Sequence, residues 1–122
     1  MDDRRIFGDE GEQLAADFLR AKGYQIHESQ YRTRFGEIDL ICLDGDEIVF
    51  VEVKARHSAE YGFPEEAITP QKVRHITRTA EHFLSEHHVD DRPWRVDVVA
   101  IEYDREPPRI THIDAIDMPD RF

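Results

Sequence analysis

Asp39 lies in one short apolar run and Glu52-Val53-Lys54 in the next, with the turn-forming stretch Asp44-Gly45-Asp46 between them. Two carboxylates and an ammonium brought together by a hairpin can hold a hard divalent cation, magnesium or manganese, through oxygen ligands, with the lysine beside it. That equipment suits hydrolysis of a phosphoester: the cation polarises the phosphate and the lysine orients the attacking water.

The elements that must position these groups are readable from their residues. Gly36-Glu-Ile-Asp-Leu-Ile-Cys-Leu43 and Glu47-Ile-Val-Phe-Val-Glu-Val-Lys-Ala55 are rich in β-branched and apolar residues and predict an antiparallel hairpin. With Gly45-Asp46 as a two-residue loop, Asp39 stands opposite Glu52 and Glu37 opposite Lys54. With Asp44-Gly45 as the loop, Asp39 faces Phe50 and Glu52 lies on the diagonal. Either register keeps the three charged groups on one face, because strand side chains alternate with a period of two. Opposed carboxylates, with β-carbons ~5 Å apart, destabilise a sheet unless something neutralises them. A cation would do so; a solvated cross-strand pair of Lys54 with Glu37 or Glu52 is the plainer alternative, worth under ~1 kcal/mol. Against the plainer alternative, both strands are nearly continuous apolar runs, which puts their charges at a mouth or edge, and Glu12 offers a further acid from a helix.

That helix is expected from about Asp9 to Lys22, with Gly23 as its stop and Leu14, Ala15, Phe18, Leu19 and Lys22 marking its apolar stripe. Glu12 borders the stripe and so can reach the sheet, or it can simply favour the positive end of the helix. Tyr24 to Tyr31 reads as a first strand. Tyr31-Arg-Thr-Arg-Phe35 is then a basic, aromatic turn whose rings could stack on bases or pack as core and rim. His57 to Pro64 is a loop placed to cover substrate. Thr69-Pro70 starts a second helix, with Thr as cap and Pro at the first position, and Val73, Ile76, Thr77, Ala80, Phe83 and Leu84 form its buried face. Gln71, Lys72 and His75 fall in its first turns and could face the site. His82, His87 and His88 are read as following the end of this helix, and no Cys/His array has zinc spacing, so histidine-bound zinc is not expected. Trp94 to Tyr103 is a third apolar strand, in which Asp97 must be hydrogen-bonded or paired. An arginine or the backbone is its expected partner, ahead of a metal. Arg109 to Ile113 is a short last strand, and Met118 to Phe122 a frayed tail.

Together, Gly8-Asp-Glu-Gly-Glu12, Tyr31-Arg-Thr-Arg-Phe-Gly-Glu-Ile-Asp39, Val51-Glu-Val-Lys-Ala-Arg56, Thr69-Pro-Gln-Lys72 and Arg95-Val-Asp-Val-Val99 resemble the bacterial YraN family of predicted nucleases. More broadly, Gly36 to Leu40 with Phe50 to Lys54 is similar to the core of the restriction-endonuclease-like PD-(D/E)xK superfamily. The resemblance runs from near the N-terminus to about Ile101. It implies an α/β, restriction-endonuclease-like fold with a mixed central sheet flanked by helices. It also implies a metal site of Asp39, Glu52 and the Val53 carbonyl, completed or extended by Glu12, with Lys54 as the catalytic lysine. A glutamine or lysine near Gln71 and Lys72 would support the metal-bound water or contact phosphate. Ile38 replaces the proline that names the superfamily, and Gln30 stands where the YraN family would carry asparagine.

The 122 residues make one domain, expected over 1–116 with a tail at 117–122. With 39% hydrophobic and 35% charged residues, no apolar segment at the start and no run of membrane-spanning length, a cytoplasmic protein is expected. The lone Cys42 cannot form an internal disulfide and reads as a small core residue. A formal charge of −11 argues against avid, non-specific DNA binding. The cations nevertheless cluster in sequence around the proposed site, as Arg32, Arg34, Lys54, Arg56, Lys72, Arg74 and Arg78. Such a basic rim on an acidic body would bind weakly and by shape. The expected function is therefore a magnesium- or manganese-dependent endonuclease acting on nucleic acid, DNA ahead of RNA, structure-selective in repair or recombination. A homodimer would suit duplex or junction substrates, although no interface is marked. Two rivals remain: a non-catalytic nucleic-acid-binding module, and an acidic interaction or assembly factor with a basic partner. Glu37, His75 and Asp97 are secondary site candidates.

Overall fold

Gly45, with φ +62°, makes the tight turn that sets the hairpin register, and only a residue without Cβ adopts that conformation at no cost. In the computed structural model, which describes residues 10–56 and 68–116, Asp44 pairs with Glu47 and Leu40 with Val51, the Gly45-Asp46 register. The strands β2 (Gly36–Asp44) and β3 (Glu47–Arg56) are preceded by helix α1 (Glu10–Ala21) and β1 (Gln25–Thr33). They are followed by helix α2 (Pro70–Glu86), β4 (Trp94–Glu102) and β5 (Arg109–Ile113). The five strands form one mixed sheet in chain order, antiparallel except where β4 runs parallel to β3. A parallel neighbour requires a crossover, which is why α2 intervenes between β3 and β4. This is the expected α/β architecture, a mixed sheet with a helix on each face, compatible with a restriction-endonuclease-like fold.

Each helix covers one face. Ala15, Ala16 and Leu19 of α1 bury Leu40, Cys42, Val49, Val51, Val99 and Ile101. On the other face, Ile76, Ala80, Phe83 and Leu84 of α2 pack on Ile38, Ile41, Ile48, Phe50 and Val96. Phe50 is fully buried, with Phe83 and Trp94 each 5.7 Å away edge to face. Such aromatic pairs add ~0.5–1.5 kcal/mol each beyond the area they bury. Cys42 is a buried core residue, as its strand setting suggests, and burial pushes its thiol up to about 12.

The helix ends follow their residues. Gly23 (φ +96°) closes α1 in a Schellman arrangement, with Tyr24 N–H donating to the Leu19 carbonyl and Gly23 N–H to that of Arg20. Thr69 caps α2, its Oγ1 accepting from Lys72 N–H at 3.1 Å, with Pro70 as the first helical residue. The far end of α2 has the same Schellman bonding, but the left-handed position is held by His88 at φ +57°. The structure departs from the sequence-based expectation at both helices. His82 lies inside α2, not after it, and the buried stripe of α1 is rotated toward Gly11, Glu12, Ala15, Ala16 and Leu19, leaving Leu14 and Phe18 at its margin. The loop His57–Pro64, the helix start at Asp9 and the tail Met118–Phe122 fall outside the described residues.

Candidate active site

Strand alternation breaks at Asp39. Ile38 and Ile41, three apart, share the α2 face, whereas Leu40 and Cys42 face α1. Directly across from Asp39, between the pairs Ser29↔Leu40 and Tyr31↔Ile38, Gln30 adopts φ +52°. Glutamine tolerates that left-handed conformation less well than asparagine would.

The break coincides with the end of the β2–β3 ladder at Leu40↔Val51. Beyond it, Asp39 Oδ2 accepts the Val53 N–H at 2.8 Å, so a side chain takes the donor that a strand carbonyl would otherwise satisfy. The N–H and C=O of one strand residue point to the same side, so the Val53 carbonyl also looks toward Asp39. β3 meanwhile continues beside β4 as far as Arg56↔Glu102. The two strands thus part at a mouth that holds Asp39, Glu52 and Lys54.

Burial and electrostatics at this mouth are unusual. Glu52 is 4% exposed and Glu12, from the first turn of α1, is 6% exposed. Burial pushes the Asp39 carboxyl up to about 8, helped by its hydrogen bond with Glu52 and the charges of Glu52 and Glu12, and opposed by the Val53 N–H. Glu52 Oε2 in turn meets two ammonium groups, Lys72 Nζ at 3.2 Å and Lys54 Nζ at 3.9 Å. Lys72 therefore reaches the site from α2, as its place in the first turn of that helix allows.

The donors fit a hard divalent cation in kind, being carboxylate oxygens with a peptide carbonyl beside them. Asp39 and Glu52 are within hydrogen-bonding distance of each other, but Glu12 does not converge with them as a third donor; among the described residues only His27, Glu28 and His87 offer three donor atoms within 4.8 Å of one another. The lysines stand where the cation's charge would otherwise be required.

Other candidates are placed differently. Glu37 pairs with its cross-strand neighbour Arg32 at 3.3 Å rather than with Lys54. Arg56 leaves the expected basic rim: its side chain is 11% exposed and bonded to Glu102 at 3.2 Å. Arg34 is exposed above the Phe35 ring, and Gln71, Arg74, His75 and Arg78 are exposed on α2. Tyr31 is a packing residue, edge-on to Phe83 with its hydroxyl donating to Glu86. α2 crosses so close to Gly36 (φ +145°) that a Cβ there would lie 3.3 Å from Thr79 Oγ1.

Asp97 is wholly buried on the other face of the sheet, and its partners are of the expected kind. Arg95 Nε and the Ala115 N–H donate to it, and His112 Nε2 lies 2.8 Å from its second oxygen. Burial raises the Asp97 carboxyl, but these donors outweigh it and hold the group below the usual carboxylate range. Lys22 Nζ donates to His112 Nδ1 at 2.8 Å, leaving Nε2–H to donate to Asp97. Arg95 also binds Glu47, Asp44 and the Tyr24 hydroxyl, locking the turn end of the hairpin to β4. This organising role of Arg95 was missed in the sequence. Its signal was the i, i+2 spacing to Asp97, which places both on one strand face.

Known proteins extend the picture. The profile described as "Uncharacterised protein family UPF0102" matches residues 11–101. A UPF0102 protein of Syntrophus aciditrophicus is 47% identical over 109 residues, 88% of this chain and 86% of the relative. One from Anaeromyxobacter dehalogenans is 41% identical over 114 residues, covering 93% and 85%. One from Geotalea daltonii is 41% identical over 118 residues, covering 95% and 93%.

Proposed function

This chain belongs to the UPF0102 family, and we propose that it is a divalent-metal-dependent nuclease that hydrolyses phosphodiester bonds of nucleic acid, DNA ahead of RNA. One observation carries the proposal: Asp39 and Glu52 are hydrogen-bonded to each other at a sheet mouth, beneath two lysines, with a third acid buried beside them. Packing like charges together costs stability. A magnesium or manganese ion held by Asp39, Glu52 and the Val53 carbonyl, with Glu12 behind them, would offset that cost.

Bound there, the cation would supply Lewis-acid polarisation of the phosphate. The remaining work falls to the chain's own groups. Asp39 is fixed by the Val53 N–H, so its second oxygen is held toward the mouth. Lys54 stands over Glu52, where its ammonium can orient a water and balance charge gathering on the phosphate. Lys72, with a side chain 41% exposed, is long enough to turn from Glu52 to a phosphate oxygen. Arg32, Arg34, Arg74 and Arg78 are exposed cations that can follow a backbone, while Arg56 is assigned to the fold. So few cations on a chain of net charge −11 support selection by shape, toward flapped or branched DNA met in repair or recombination, over tight general binding. We place this activity in the cytoplasm, with a homodimer as the form suited to branched substrates.

The test incubates the protein and its Asp39→Ala variant with single-stranded, duplex, flapped and four-way-junction DNA, and with RNA counterparts, in magnesium or manganese at low salt. Cleavage by the parent alone supports the proposal; equal cleavage by both, or none by either, overturns it. The net charge favours a second reading, an acidic interaction factor with a basic partner. A pull-down that recovers only proteins, insensitive to nuclease treatment, would select it.

A further inference from the structure

β1 carries an irregularity at His27. Ile26 pairs with Cys42 and Glu28 with Ile41, so His27 is an extra residue with no partner on β2. Such bulges re-aim side chains. Here the His27 ring is directed at the C-terminal end of α2, 5.9 Å from the Phe83 ring and 6.2 Å from that of His87. His87 is the residue that closes α2. Its ring stacks on Phe83 at 4.0 Å, and its Nδ1 lies 3.0 Å from the Phe83 carbonyl. A carbonyl only accepts, so Nδ1 carries a proton, and in the neutral ring it is Nε2 that has a lone pair to offer. A histidine held by a backbone carbonyl through one nitrogen, with the other available, is the usual preparation of a metal ligand.

We propose that His27, Glu28 and His87 form a zinc-binding site, separate from the carboxylate mouth, that ties the bulge of the edge strand β1 to the C-terminal end of α2. One donor atom from each of the three lies within 4.8 Å of the others. Two imidazoles and one carboxylate are a borderline-soft donor set, which selects zinc over magnesium, and three protein ligands leave a fourth tetrahedral position for water. Neither helical nor strand spacing could have marked this site, because its ligands are separated by almost the whole of the β2–β3–α2 segment and meet only in the fold. It does not depend on the proposed nuclease activity.

The test loads the protein with cobalt(II), whose visible spectrum reports tetrahedral coordination, and competes zinc against a chromophoric chelator. The parent, Asp39→Asn, His27→Ala, Glu28→Gln and, as a surface control, His75→Ala are compared. The expected result is one zinc per chain in the parent, in Asp39→Asn and in His75→Ala. Affinity should fall at least ~tenfold in His27→Ala, with a smaller loss in Glu28→Gln. Zinc should raise the melting temperature of the parent by clearly more than that of His27→Ala, a readout that also shows whether each variant folds. Zinc bound equally by the folded His27→Ala variant, or lost in Asp39→Asn instead, would overturn the site.

Discussion

Replacing Asp39 with asparagine tests the electrostatics of the mouth without changing its shape. Asparagine has nearly the same volume and can still accept the Val53 N–H, but it does not titrate. In the folded, metal-free protein the Asp39 carboxyl keeps its proton up to about 8, because burial and the neighbouring Glu52 and Glu12 oppose its charge. In the unfolded chain it gives up that proton near ~3.9. The folded state therefore holds the extra proton, and the stability this group contributes is full below ~3.9 and lost as pH rises to about 8. The slope is at most ~1.4 kcal/mol per pH unit. Asp39→Asn should escape that loss, so its advantage over the parent grows with pH across this window and levels off above it. Urea unfolding in the presence of a chelator, at intervals from about pH 5 to pH 9, measures the difference directly. Parallel stability curves for the two proteins would refute the crowding of carboxylates. The same proton links to metal: manganese affinity of the parent should rise by up to ~tenfold per pH unit through this range, as the cation displaces the proton.

Three further outcomes follow from local structure. Gly36→Ala places a Cβ against Thr79 at φ +145° and should cost at least ~1–3 kcal/mol in urea unfolding. His88→Gly, at the left-handed end of α2, should stabilise by ~0.5–1 kcal/mol, read as a raised urea midpoint with unchanged slope. Asp97→Ala removes the acceptor for Arg95, His112 and the Ala115 N–H and should cost ~3–5 kcal/mol. Because the Asp97 carboxyl is held low, its contribution is present above the unfolded value near ~3.9 and lost as pH falls through the folded one. The loss of parental stability at low pH should accordingly shrink in Asp97→Ala, and the fall in stability between ~3.9 and about 8 should shrink in Asp39→Asn.

What could be read from the sequence was what local rules decide. Thr69-Pro70, Gly23 and the Asp44-Gly45-Asp46 turn each act within a few residues and stand where their chemistry placed them, the structure choosing Gly45-Asp46 as the loop of the two registers open. Alternation gave the expectation that Asp39, Glu52 and Lys54 share a hairpin face; the three lie together at the strand mouth, but alternation itself breaks at Asp39 and the ladder ends before it. That break was hidden because it depends on Gln30 across the strand pair and on the Val53 N–H. The β3–β4 pairing direction, the burial of Arg56 against Glu102 and the approach of Lys72 to Glu52 are contacts between distant segments. Arg56 illustrates the difficulty: a cation next to a catalytic motif looks like a substrate contact until the neighbouring strand supplies its acid. The histidines show the converse, since residues read as helix-end polarity include one that converges with a bulged strand residue.

In the proposed nuclease, Lys54 acts on substrate held at a metal site built by Asp39 and Glu52. The most direct measurement is single-turnover cleavage of flapped DNA with manganese by the parent and by Lys54→Ala, alongside manganese affinity and DNA binding of both. Lys54→Ala should lose cleavage while still folding, binding manganese and binding DNA. Cleavage by Lys54→Ala at the parental rate would contradict that role.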